Sequence, residues 1–149
     1  MHILFIGYGK TSRRVAKQLF EQGHQISTIS QSPKTDSFAT HLIQDVHQLD
    51  LTAVTPIDWV YVLLSPKQST VEGYQQTYLD SVQPIVAALK QHPVKRIVVV
   101  SSTRVYGQDA GEIVDDETEI YPIDAQGTIL QQMEQAYFAA YPEQCTIIR

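Results

Sequence analysis

Gly7-Tyr8-Gly9-Lys10-Thr11-Ser12 follows directly on the apolar run His2–Ile6 and opens a segment of helical periodicity. Residues of these types, spaced G-x-G-x-x-S, suit the capture of a pyrophosphate. The first glycine permits a tight turn and the second lets backbone approach the anion. The helix start then supplies free N–H groups and positive potential. Ser12 occupies the third position, where a small residue packs helix on strand. The plainer alternative is a strand–helix turn that needs its glycines for geometry alone. The second apolar run, 25–29, ends in Ser30-Gln31-Ser32, with Lys34 just beyond. Dinucleotide-binding folds usually place a carboxylate there to grip the adenosine ribose. None stands at this point, and Ser30, Ser32 and Lys34 suit a 2′-phosphate. That tilts the expected cofactor toward NADP over NAD, unless the loop touches nothing. Asp45 is a candidate acceptor for an adenine amino group or simply an exposed loop acid. Leu64 and Ser65, closing the run 59–64, join the expected cofactor wall.

These residues need a frame, and the periodicity supplies one. Short Val- and Ile-rich runs at His2–Ile6, 25–29, 59–64, Arg96–Val100 and Cys145–Ile148, with a weak one at 42–43, read as strands covered on both faces. Between them, Ser12, Val15, Ala16, Leu19 and Phe20 share a helical face that stops at Gly23. A longer stripe runs from Val71 to Leu89, with a kink expected at Pro84. A third joins Ile129, Leu130, Met133, Ala136, Tyr137 and Ala140. The stretch 33–55 is ambiguous. The alternation predicts an α/β fold: a doubly wound parallel sheet of about six strands, order 3-2-1-4-5-6, with helices on both faces.

At 149 residues the chain has the length of one domain, 1–149, and 43% hydrophobic with 18% charged residues is a globular composition. A net charge of −5 argues against a phosphate-tracking nucleic-acid binder. No apolar run is long enough to cross a bilayer, and Cys145 stands alone, so a soluble, cytoplasmic domain is expected.

The segment Arg96–Val100, followed by Ser101-Ser102-Thr103-Arg104-Val105-Tyr106-Gly107, resembles the fifth strand and S-S-T-x-V-Y-G motif of the NAD-dependent epimerase/dehydratase family, the extended short-chain dehydrogenases/reductases. Gln44-Asp45-Val46 is similar to that family's adenine-side turn, and Thr146-Ile147-Ile148-Arg149 to its T-I-L-R-like strand. The resemblance implies an NAD(P)-binding Rossmann domain corresponding to the cofactor half alone, and the family's C-terminal substrate-binding region is expected to be absent from 1–149. It also implies a catalytic Tyr, a Lys four residues later that lowers its pKa, and a Ser/Thr matching Ser102. Ser101 goes with the cofactor residues. The family's P-x-S-x-Y-G-x-S-K-x-x-x-E pattern aligns with 122–134, matching Pro122, Gly127 and Glu134. The tyrosine slot then holds Gln126 and the lysine slot Leu130, and no lysine follows Lys95. Gln cannot act as a base, so little activity is expected.

Tyr106 suits either packing beside the nicotinamide pocket or a chemical role, and Trp59 is expected in the core. Six acids between Asp109 and Glu119 lack the spacing of a calcium loop, and five scattered histidines read as surface or strand-end residues, so no metal site is expected. A hydrolase fails for want of a G-x-S-x-G elbow. Two functions compete: an oxidoreductase or nucleotide-sugar epimerase/dehydratase, and a non-catalytic dinucleotide-sensing or protein-interaction module. Pairing of two copies through the last strand or helix 123–141 is expected.

Overall fold

The computed structural model describes residues 1–149. Strand β1 (His2–Ile6) is buried along its whole length because it lies between two parallel neighbours and under helices on either side. Its odd residues Ile3 and Phe5 join Ala16 and Ile26 in one core, while Leu4 and Ile6 join the larger core on the other face. Alternate side chains therefore serve two hydrophobic layers, which explains the unbroken apolar run.

Helix α1 (Lys10–Glu21) covers the first face and ends as the sequence predicts: Gly23 takes φ 91°, and its N–H bonds the Phe20 carbonyl at 2.9 Å. Strands β2 (Gln25–Ser30) and β3 (Thr40–Ile43) extend the sheet one way. The chain then crosses back to β4 (Trp59–Val62), β5 (Arg96–Val100) and β6 (Cys145–Ile148), giving one six-stranded parallel sheet ordered β3-β2-β1-β4-β5-β6. This is the predicted doubly wound order.

The stripe from Val71 breaks earlier than expected. It forms α2 (Val71–Tyr74), a π turn (Gln75–Leu79) and α3 (Val82–Leu89). Pro84 falls in the first turn of α3, where its missing N–H has no intrahelical partner to lose, so the discontinuity lies before it. Helix α4 (Ala125–Ala140) packs Leu130, Met133 and Tyr137 into the larger core beside Val82, Ile85 and Leu89 of α3. Trp59 is only half-buried, with the Arg96 guanidinium 5.4 Å over its ring. His2 is buried rather than exposed, its Nε2 paired with Ser27 Oγ at 2.8 Å. No helix is long and apolar enough to cross a membrane.

Candidate functional site

Between β1 and β4 the strand order reverses, and crevices outside the strand C-termini at such points are where open α/β sheets bind ligands. A cleft of about 1010 Å³ lies there. It is lined by Gly7, Gly9, Lys10, Thr11, Ser12, Ser30, Gln31, Asp45, Val46, Leu64 and Ser65, so residues from four separate stretches of sequence converge. Ser32, Lys34, Ser101 and Ser102 are not in its wall.

Gly7 sits at φ 90°, and a Cβ there would run into the Leu63 carbonyl oxygen, so both conformation and space require glycine. Gly9 differs. It is the N-cap of α1 at φ −97°, no side chain caps the helix, and a Cβ would meet nothing within 4 Å. The fold does not demand glycine there, and the space it leaves belongs to the cleft. Uncapped N–H groups at the start of a twelve-residue helix then face that opening, which fits a pyrophosphate. Ser12 is buried, and its Oγ donates to the Gly7 carbonyl at 2.8 Å. Its hydroxyl braces the loop in the third-glycine slot.

The far wall rests on contacts the sequence did not reveal. Asp36 accepts from Arg13 Nε at 2.7 Å and Tyr8 Oη at 3.1 Å, tying the loop after β2 to the glycine loop. Arg13 holds the Asp36 carboxyl below its ordinary range, while burial, with Asp36 assisting, pushes Tyr8 up to about 12. Asp36 does not reach the cleft, so no carboxylate of that loop lines it. Ser30 Oγ is spent on the Ser32 carbonyl at 2.8 Å.

Asp45 caps a 3₁₀ turn (Val46–Gln48), its Oδ1 accepting from the His47 amide at 2.9 Å and from His47 Nδ1 at 2.8 Å. His47 Nε2 donates to the Gln76 carbonyl at 2.6 Å. Both partners accept, which suits the doubly protonated ring. The Gln76 carbonyl, then Asp45, raise the His47 pKa, and the His47 amide and ring lower that of Asp45. His47, Gln76, Thr77 and Lys67 all line the cleft. The adjacency of His47 to the Asp45 turn was the only sequence signal for this corner.

At the other end of the crevice, Ser101 Oγ is buried without a partner, and Ser102 Oγ accepts from the Arg104 amide at 3.1 Å, capping the turn Thr103–Val105. Tyr106 Oη donates to the Asp115 carbonyl at 3.2 Å and accepts from Arg149 Nη1 at 3.2 Å. Gln126 Oε1 accepts from Arg104 Nη2, and its Nε2 donates to the Ser69 carbonyl at 3.0 Å. Leu130 is fully buried in the larger core. No three His, Cys, Asp or Glu side chains come together as a metal site.

With this geometry in view, the family model described as NAD(P)H-binding matches residues 7–141. Protein YeeZ of Escherichia coli (strain K12) is 33% identical over 85 residues, 57% of this chain and 30% of that protein. A structure from Methylobacillus flagellatus, named as an NAD-dependent epimerase/dehydratase, is 28% identical with TM-score 0.80, covering 99% of this chain and 53% of that one. The UDP-glucuronic acid 4-epimerase of Bacillus cereus, in complex with UDP-glucuronic acid and NAD, superposes with TM-score 0.83 at 18% identity, covering 100% of this chain and 56% of that one. The chain thus spans about half the length of these structures and under a third of YeeZ. Loop, sheet order and matched span lead to one assignment: the chain belongs to the NAD(P)H-binding family.

Proposed function

We propose that residues 1–149 form a single NAD(P)-binding domain that holds a dinucleotide and does not by itself catalyse its redox chemistry. The observation that carries this is Leu130. The position that the family resemblance gives to a ribose-holding lysine is an apolar side chain with no exposed surface. A nicotinamide cofactor supplies hydride transfer when bound, but the substrate proton must go to a positioned base. Gln126 is no base, and its amide is engaged on both sides. The glycine loop would hold the pyrophosphate, with Ser30, Gln31, Asp45 and Val46 along the adenosine side. NADP is favoured over NAD because the one acid in the loop after β2, Asp36, is neutralised by Arg13 away from the cleft, leaving no carboxylate to repel a 2′-phosphate. Cys145 as a free, half-buried thiol fits a reducing, cytoplasmic setting.

Calorimetry with NADP(H) and NAD(H) tests the binding, and binding of neither would overturn it. Cofactor-reduction assays over alcohols and nucleotide sugars test the rest, since losing a positioned base costs about 10²–10⁴-fold. Turnover abolished by Ser102→Ala would show that another proton acceptor exists. The second reading, an oxidoreductase or epimerase/dehydratase acting within a longer protein, draws on the solved neighbours and predicts that turnover.

A further inference from the structure

The cleft stops short of the motif residues that the family resemblance links to the nicotinamide. Its floor runs through Leu64, Ser65 and Val100 but reaches neither Ser102 nor Gln126. Across that end lies a strap. Gln126, in the first turn of α4, donates to the Ser69 carbonyl at 3.0 Å in the loop after β4. Arg104, in the turn after β5, donates to Gln126 and, at 3.0 Å, to Asp124 Oδ2, while its guanidinium stands 5.5 Å over the Tyr74 ring of α2. Helix α4 is pressed into this place. A Cβ on Gly127 would lie 2.6 Å from the Arg104 carbonyl oxygen, so helix and turn touch backbone to backbone. Four elements meet here, and their polar side chains are turned on one another. One helical turn further, Leu130 offers no hydrogen bond at all.

At the opposite end the polar groups are left over. The start of α1 is uncapped, and Lys10 and Lys67 border the cleft. An anion with an adenosine attached fits that half, whereas beyond the pyrophosphate Arg104, Asp124 and Gln126 have spent their side-chain groups on one another, on Ser69 and on the Gly127 amide. Resting on the dinucleotide reading above, we infer that this site recognises the adenosine diphosphate moiety and gains almost nothing from the nicotinamide riboside. The ligand class is therefore wider than nicotinamide dinucleotides and includes ADP-ribose and its 2′-phosphate.

Titration calorimetry of the whole chain decides this with matched pairs: NAD⁺ against ADP-ribose, and NADP⁺ against 2′-phospho-ADP-ribose. Within each pair the dissociation constants are expected to agree within about threefold, well under the tenfold that 1.4 kcal/mol confers. Nicotinamide mononucleotide is expected not to bind. In saturation-transfer NMR on NADP⁺, the adenine protons are expected to be saturated and the nicotinamide protons not. A dinucleotide bound ten times more tightly than its ADP-ribose partner, or saturation of the nicotinamide ring, overturns the inference while leaving dinucleotide binding intact. Failure of all these nucleotides to bind overturns both.

Discussion

The two ends of the crevice are built from similar materials with opposite outcomes. At the α1 end, backbone N–H groups meet no side chain and Gly9 keeps its space empty. At the α4 end, Asp124 caps its helix through Gly127 at 2.6 Å, Gln126 is held between Arg104 and Ser69, and Leu130 is buried. The starts of α1 and α2 border the cleft, the second capped by Thr70 through the Gly73 amide, and α4 begins beyond its end. Of the three, α1 alone is left uncapped. A polar group serves either the fold or a ligand, and satisfied groups have little left to offer. The capped end should accordingly govern stability and the open end affinity.

The largest expected effect on that division lies behind α4. Glu134 is buried, and Arg149 meets it with two bonds, Nη2–Oε2 at 2.8 Å and Nε–Oε1 at 3.1 Å. Arg149 also stacks 5.5 Å over Tyr106. Glu134→Ala leaves a guanidinium without its counter-ion in a largely enclosed place, which costs about 3–5 kcal/mol. Thermal unfolding should fall by about 10 °C. Nucleotide affinity at the remaining folded fraction should hold. A lost affinity with unchanged melting would put Glu134 on the ligand side of the comparison.

Gly9→Val is the converse. Its side chain enters open space, so melting should move by under about 1 kcal/mol, as for an ordinary surface change. Binding should weaken by about a hundredfold, since losing one or two hydrogen bonds to a charged group costs about 1.5–3 kcal/mol each. Calorimetry with NADP⁺ reads the loss, and a melting curve on the same sample reads the fold. Gly7→Val separates the glycines: it strikes the Leu63 carbonyl at positive φ and should destabilise the chain as well. If Gly7→Val left the melting temperature alone, the division of labour between the two glycines would be wrong.

Asp124→Ala probes the capped end more gently. It removes the acceptor for the Gly127 amide and one Arg104 partner. Loss of an N-cap costs about 1 kcal/mol. The partly exposed ion pair adds little. Chemical denaturation should show the midpoint shifted by that amount with an unchanged slope. Tighter binding by the variant would mean that the strap obstructs the site.

What could be read from the sequence alone divides along a related line. Strand β1, the α1 stop at Gly23 and the glycine loop are local patterns, carried by residues a few positions apart, and they were legible. So was the sheet order, because alternating runs leave few topologies. The clasp of Asp36 by Tyr8 and Arg13 joins residues 28 and 23 positions apart, and His47 meets Gln76 across 29. No periodicity encodes such pairs. Ser32 and Lys34 have suitable types and follow β2, but neither lines the cleft, and Asp36 of the same loop is bonded to Tyr8 and Arg13. The π turn was hidden for another reason: the apolar stripe from Val71 to Leu89 runs on through the single π turn Gln75–Leu79, and Pro84, the one helix breaker in the stripe, sits in the first turn of α3 where it breaks nothing.

The smallest expected effect concerns pH and tests whether the open end is wholly free of internal bonding. His47 couples the turn after β3 to the π turn, and both elements line the cleft. Asp45 and the more distant Asp80 favour its charged form, and Lys67 acts with it on Asp45. The folded His47 pKa lies above its ordinary 6.5, so its contribution to stability is complete below that value and is lost as pH rises through the folded pKa. The folded Asp45 pKa lies below 3.8, so its contribution is complete above that value and is lost as pH falls through the folded pKa. The clasp is therefore strongest between these two ordinary values and weakens on the alkaline side. His47→Ala should melt lower than the native chain at pH 6, and the gap should narrow as pH rises and the native ring loses its second proton. The ring is partly exposed, so the gap at pH 6 should be small, as for other solvent-screened pairs. NADP⁺ affinity measured across the same range should fall more steeply for the native chain than for the variant. Parallel profiles for the two proteins would remove His47 from the site and leave the adenosine wall to Asp45, Val46 and Gln31.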